Sequence, residues 1–141
     1  GFIMEKIPVI YWSGTGNTKL MAEAVAEGIG TAAVLKSVGD MTAEQAAGYS
    51  ALALGCSAMG AEVLEEYEFE PFFTALEPLL QGKKVVIFGS YGWGGSYMND
   101  WEQRVKAAGA ELAAPGLLVL GAPDEAAVAS CRELGAALTK A

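Results

Sequence analysis

Ser13-Gly14-Thr15-Gly16-Asn17-Thr18 gathers three hydroxyls and one side-chain amide into six residues, with no charged residue among them. An apolar run (Ile7, Val9, Ile10, Tyr11, Trp12) stops at this segment, and a helical pattern through Leu20, Met21, Ala24 and Val25 starts directly after it. That order describes a strand, a tight turn and a helix N-terminus, where unpaired N–H groups and the helix dipole favour an anion. The chemistry expected is phosphate binding by neutral hydrogen bonds, and the alternative is a glycine-rich turn with a structural role alone. Two other phosphate loops fail on the same residues. A Walker A loop needs glycine, four residues and then Gly-Lys-Ser/Thr, and Lys19 follows Thr18 outside that frame. A dinucleotide-binding G-x-G-x-x-G needs its third glycine at position 19, which is lysine, and Val34-Leu35-Lys36-Ser37 ends without an acid for a ribose.

Two further segments carry unusual residues. Gly55-Cys56-Ser57-Ala58-Met59-Gly60-Ala61-Glu62 sets a polarizable methionine ahead of a glycine, suited to a flat aromatic ligand and to a peptide that changes orientation. Glu62 offers a carboxylate to an N–H donor; the plainer alternative is a turn with a core methionine and a solvated glutamate. Gly89-Ser90-Tyr91-Gly92-Trp93-Gly94-Gly95-Ser96 places an indole between glycines, with few neighbours to bury it. An aromatic platform for a planar ligand fits it better than an exposed protein contact. Trp101, spaced with Met98, Val105 and Ala108, belongs to a helix face in the core. Tyr11 and Trp12 end a strand, so at least one of them should be core.

The elements that must position these segments follow from the apolar pattern. Strand-like runs fall near 7–12, 32–35, 51–56, 84–89 and 117–120, with helical patterns at about 17–29, 65–80, 97–108 and 124–139. Thr42-Ala43-Glu44 resembles a short helix start, and Pro115-Gly116 should interrupt the last strand at an edge or bulge. Alternation of this kind predicts an α/β fold, a doubly wound five-stranded parallel sheet with helices on both faces. In the order 2-1-3-4-5, strands 1, 3 and 4 stand side by side, and the loops 13–18, 57–64 and 90–96 open on one crevice.

Composition narrows the function. The 141 residues suit a single domain, 1–141, and Gly1-Phe2-Ile3 ahead of Met4 reads as a segment added before the natural start. Apolar residues make up 52%, yet no run approaches the roughly 20 residues of a membrane helix, and no secretory signal is visible, so the cytoplasm is the expected location. A net charge of −8 disfavours nucleic acid and anionic membrane and favours a cationic partner. The absence of histidine excludes a Ser-His-Asp triad, a Cys-His pair and a histidine-ligated zinc site. Cys56 and Cys131 form no CxxC and are expected as buried, reduced thiols, and no metal site is expected.

The three segments S-G-T-G-N-T, G-C-S-A-M-G-x-E and G-S-Y-G-W-G, in this order and spacing, closely resemble a short-chain flavodoxin. The likeness runs on through Glu65-Glu66, Glu70-Pro71-Phe72-Phe73 and Cys131-Arg132-Glu133-Leu134-Gly135. It implies a flavodoxin-like fold, non-covalent FMN and a low-potential one-electron carrier that cycles mainly between semiquinone and hydroquinone. By the resemblance, Ser13, Gly14, Thr15, Gly16, Asn17 and Thr18 hold the FMN phosphate with Ser57. Met59 covers the inner ring face, and Ala58, beside it in sequence, is among the cofactor-binding residues. Trp93 stacks on the outer face, and Glu62 accepts from N3–H. Backbone groups of Ser90, Tyr91, Gly92 and Gly94 meet the pyrimidine edge, and the Gly60 carbonyl turns toward N5–H. Two departures stand out: Ala61 and Gly95 occupy positions where some relatives carry polar or acidic residues.

The acids Glu62, Glu65, Glu66, Glu68 and Glu70 lie close in sequence to one of these loops and should oppose an anionic hydroquinone. At an effective dielectric of about 20, one charge about 12 Å away contributes on the order of 1.4 kcal/mol, about 60 mV for one electron. Partners implied are redox proteins with basic docking surfaces, met by a monomer. The alternative in the enzyme class is an FMN-dependent quinone or nitro-compound reductase. A receiver domain on a similar scaffold fits poorly, because strand 1 ends in Ser13-Gly14 rather than paired acids and no phosphoacceptor aspartate ends strand 3.

Overall fold

Ile7–Trp12 forms the first strand, β1, and its residues through Ile10 are buried, as a continuous apolar run with β-branched members requires of a central strand. The computed structural model describes residues 5–59, 63–92 and 94–140, with the backbone alone at Met59. Helix α1 (Asn17–Ile29) follows, then β2 (Ala33–Ser37), a 3-10 turn Val38–Asp40 and a one-turn helix α2 (Ala43–Ala46). Thr42 starts α2 with a capping box: its hydroxyl accepts from the Gln45 amide, and the Gln45 side chain accepts from the Thr42 amide. Next come β3 (Ala51–Cys56), a short antiparallel hairpin of β4 (Ala58–Met59) and β5 (Val63–Leu64), and α3 (Phe69–Leu76), which runs into a 3-10 turn Glu77–Leu79. The chain ends with β6 (Lys84–Tyr91), α4 (Ser96–Ala107), β7 (Glu111–Leu112), β8 (Leu117–Leu120) and α5 (Glu125–Ala137).

The sheet runs β2-β1-β3-β6, and both β7 and β8 pair in parallel with β6. Counting β7 and β8 as one interrupted strand gives the expected order 2-1-3-4-5. The interruption lies where Pro115-Gly116 predicts it, and the freed Gly116 amide donates to the Glu102 carboxylate at 2.8 Å. One face of the sheet carries α1 and α5 over a core with Val9, Met21, Val25, Ala53, Val86 and Phe88. The other face carries α2, α3 and α4 over Ile10, Leu52, Leu54, Ile87, Phe73 and Trp101.

Three expectations change in detail. Tyr11 and Trp12 are both only partly buried: Trp12 packs against the α3–α4 core and Tyr11 against the α1–α5 core, so the strand end braces both layers. Helix α3 begins at Phe69 rather than 65. The Glu65 carboxylate, 4% exposed, accepts the amides of Tyr67 (2.7 Å), Glu68 (2.8 Å) and Phe69 (2.9 Å), which fixes a non-helical turn ahead of the helix. The hairpin β4–β5 falls inside what the sequence pattern shows as a loop. Among the described residues no helix is long and apolar enough to cross a membrane.

Candidate functional site

The parallel strands β1, β3, β6 and β8 all point their C-terminal ends at one edge of the sheet, and the loops that leave them meet there. A cavity of about 190 Å³ opens between them. Gly14, Thr15 and Asn17 line it from the first loop, Ser57 and Ala58 from the second, and Ser90, Tyr91 and Gly92 from the third. Among the described residues no charged side chain lies in this wall.

The first loop owes its shape to two residues. Gly16 stands immediately before α1 at φ 96°, a left-handed conformation that glycine adopts without a Cβ penalty. Its amide donates to the Ser13 hydroxyl oxygen at 3.0 Å, closing a local turn. Ser13 and Gly16 therefore shape the loop without lining the cavity. Helix α1 has no side-chain cap and no acid in its first turn, so its N-terminal dipole is left for an external anion.

Thr18 has turned inward. It is 0% exposed, its oxygen accepts the Ser90 amide at 3.3 Å, and it lies 2.6 Å from the Ser57 hydroxyl oxygen. Each hydroxyl carries one proton. Either oxygen can donate in that short contact; with Thr18 as the donor, the Ser57 proton is left to point into the cavity. In that arrangement the chain Ser90 N–H, Thr18 O–H, Ser57 O–H delivers one polarised donor to the wall, each bond strengthening the next.

A fourth loop joins the site that the sequence reading confined to three. Gly121, directly after β8, lines the cavity; its carbonyl accepts from the Ser90 hydroxyl at 2.7 Å and its amide donates to the Tyr91 carbonyl at 2.9 Å. The available signal was the topology: β8 is parallel to the other strands, so its C-terminal end opens on the same side. Gly94 is described but does not line the cavity. Gly60, Ala61, Glu62 and Trp93 lie outside the described residues, as does the Met59 side chain.

The acidic cluster near the second loop is partly neutralised. Glu65 is held by the three amides of the α3 turn, and Glu70 forms an ion pair with Arg104 at 2.7 Å. Arg104 also bridges to Glu77 at 2.7 Å and lies over the Phe73 ring, 4.7 Å from its centroid. Its hydrogen bonds hold the Glu70 carboxyl below the usual carboxylate range. Glu66 and Glu68 remain exposed. Of the five acids read from the sequence, Glu70 has its charge countered by Arg104, which it shares with Glu77, while Glu65 keeps its charge beneath three neutral amide donors. Both cysteines are free and buried, and burial pushes the Cys56 thiol up to about 12 and the Cys131 thiol up to about 11.

Comparison with known proteins agrees with this arrangement. The family profile described as Flavodoxin matches residues 9–135. The chain is 47% identical over 131 residues to a flavodoxin of Clostridium beijerinckii, covering 90% of this chain and 94% of that one. It is 45% identical over 139 residues to a flavodoxin of Megasphaera elsdenii, covering 96% and 99%. The solution structure of two-electron reduced Megasphaera elsdenii flavodoxin superposes with a TM-score of 0.82 at 44% identity, over 96% of this chain and 99% of that one. A fold with this strand order, an uncharged phosphate-type loop and sequence identity of this extent place the chain in the flavodoxin family.

Proposed function

We infer that the chain is a one-electron carrier that binds FMN non-covalently, acting as one unit over residues 1–141. The observation that carries this reading is the donor-rich wall at the N-terminus of α1, uncharged among the described residues, in a chain that the flavodoxin profile matches over residues 9–135. The residues fit the group. A phosphate needs several donors and tolerates an uncharged cradle at a helix N-terminus, and Thr15, Asn17 and Ser57 supply the side-chain donors. FMN supplies the redox chemistry, accepting and releasing electrons singly. Ser57 donates to the phosphate through the hydroxyl chain from Ser90, Tyr91 and Gly92 present backbone beside the ring, and Gly121 closes the fourth side. Ser13, Gly14 and Gly16 hold the loop open for these contacts. Met59 and Trp93 cover the two ring faces, Glu62 accepts from N3–H, and Gly60 and Gly94 offer backbone beside the ring.

No acid–base or nucleophile pair is required of such a carrier, and none of these wall residues supplies one. The partners are oxidoreductases. A basic partner surface docks transiently on the acidic rim around Trp93; the exposed Glu66 and Glu68 and the net charge of −8 favour a basic partner, and the carrier acts as a monomer in the cytoplasm. The test is stepwise anaerobic reduction of the purified protein with FMN, followed by visible spectroscopy. Two separated one-electron steps support the carrier; failure to bind FMN refutes it, and a single two-electron step moves the reading to a quinone or nitro-compound reductase. For docking, the rate of reduction by a flavodoxin-type reductase is expected to fall as salt rises from 50 to 500 mM, and a flat response refutes the electrostatic contact.

A further inference from the structure

Tyr97 lies in the first turn of α4, outside the cavity, and is 2% exposed. Its ring fills the core beside Trp101, with centroids 6.4 Å apart and planes 24° apart. A phenylalanine would fill that space equally well. The hydroxyl has a separate role: it donates to the Cys56 carbonyl at 2.9 Å, at the last residue of β3. The bond runs past the position where a Gly89 side chain would stand. A Cβ at Gly89 would lie 2.0 Å from the Tyr97 oxygen and 2.1 Å from the Cys56 oxygen, so the missing side chain is the window through which α4 reaches β3. Ser57 and Ala58, the two residues that follow this carbonyl, form the second-loop wall of the cavity.

We propose that Tyr97 is a positioning residue for the cofactor: its hydroxyl, admitted by Gly89, fixes where β3 ends and thereby where Ser57 and Ala58 stand against FMN. The proposal rests on the FMN reading above. Fixing the carbonyl removes freedom from the loop before the cofactor arrives, so part of the ordering cost of binding is already met in the free protein. It also matters for electron uptake, because added electron density on the ring asks more of a correctly placed wall than the oxidised ring does.

The experiment compares the wild-type protein, Tyr97→Phe and Gly89→Ala in three measurements: amide hydrogen exchange at Ser57 and Ala58 in the FMN-free protein, the FMN dissociation constant, and the two one-electron potentials. Losing one ordinary buried hydrogen bond is worth a three- to tenfold change, to order of magnitude about the size expected in both exchange rate and dissociation constant. If that loss falls on the form that has taken up one electron, the first potential drops by about 30–60 mV, since tenfold is 59 mV for one electron. Gly89→Ala displaces the hydroxyl and should shift all three measurements the same way, and the double variant should cost less than the sum of the two. Unchanged exchange at Ser57 and Ala58 together with unchanged FMN affinity, with or without lower thermal stability, would overturn the proposal and leave Tyr97 as core filling. If the wild type binds no FMN, it is the cofactor reading that fails, and exchange at Ser57 and Ala58 still decides whether Tyr97 positions the loop.

Discussion

Replacing Ser57 by alanine separates the phosphate from the ring in a single measurement. The hydroxyl lies 2.6 Å from Thr18, which is buried and accepts from the Ser90 amide; with Thr18 as the donor in that contact, the Ser57 proton is left for the phosphate. A hydrogen bond to a charged group contributes about 1.5–3 kcal/mol, so Ser57→Ala should weaken FMN binding by about 10- to 150-fold. Riboflavin has the same ring and no phosphate, and its affinity should stay within about twofold. Thr18→Val keeps the Ser57 donor and removes the group that polarises it, so the loss in FMN affinity should be smaller, about three- to tenfold. It also leaves the Ser90 amide unpartnered, at about 1 kcal/mol of folding stability, the low end for a bond as long as 3.3 Å. Flavin fluorescence quenching on titrating the FMN-free wild type and each variant with each ligand gives these affinities. Equal losses for FMN and riboflavin in Ser57→Ala would refute the proton count and place the hydroxyl against the ring instead.

Other perturbations test the scaffold. Glu65→Gln keeps the size of the side chain but turns an N–H group toward one of three backbone donors, and urea unfolding should show a loss of about 2 kcal/mol; an unchanged midpoint would refute the role of its carboxylate in that turn. The Glu70 carboxyl is held below its unfolded value by Arg104, so its contribution is present above about pH 4.5 and is lost as pH falls through the folded value. Arg104→Met should therefore cost about 1 kcal/mol near neutrality, and the gap to wild type should close in the acid range; a gap constant from pH 7 to pH 3 would refute the assignment. With Cys56 raised to about 12 and Cys131 to about 11, both thiols should resist alkylation at pH 8 until the protein is unfolded. Fast labelling of either in the native protein would contradict their burial.

The sheet was legible because its central strands are buried on both faces and read as unbroken apolar runs, such as Ala51-Leu52-Ala53-Leu54 and Val85-Val86-Ile87-Phe88. The two-residue strands of the β4–β5 hairpin are too short for any periodicity to register. The start of α3 was obscured for a different reason: Glu65 favours a helix by propensity, but here its carboxylate serves three amides ahead of the helix. In the first loop the residue types pointed to an anion, yet nothing in a list of hydroxyls distinguishes Thr15, which faces the cavity, from Thr18, which faces the interior. That direction is set by Ser57 and Ser90, 39 and 72 residues away in the chain. Gly121 was missed because it stands between an ordinary strand and an ordinary helix, and only the assembled sheet brings it to Ser90.

The break in the edge strand beside β6, opposite the edge at β2, bears on how the protein behaves in a crowded solution. An unbroken edge strand presents a row of free amides and carbonyls on which a second chain can add, and growth by that route ends in fibres. Here the edge beyond β6 is cut into pieces of two and four residues by Ala113–Gly116, with a proline that has no amide to offer and a glycine whose amide is already taken by Glu102. Neither piece is long enough to template a stable pairing. A carrier that depends on brief encounters with other proteins gains from an edge that its own copies cannot zip onto, and filling the gap with a continuous β-branched strand would be the direct way to make it aggregate.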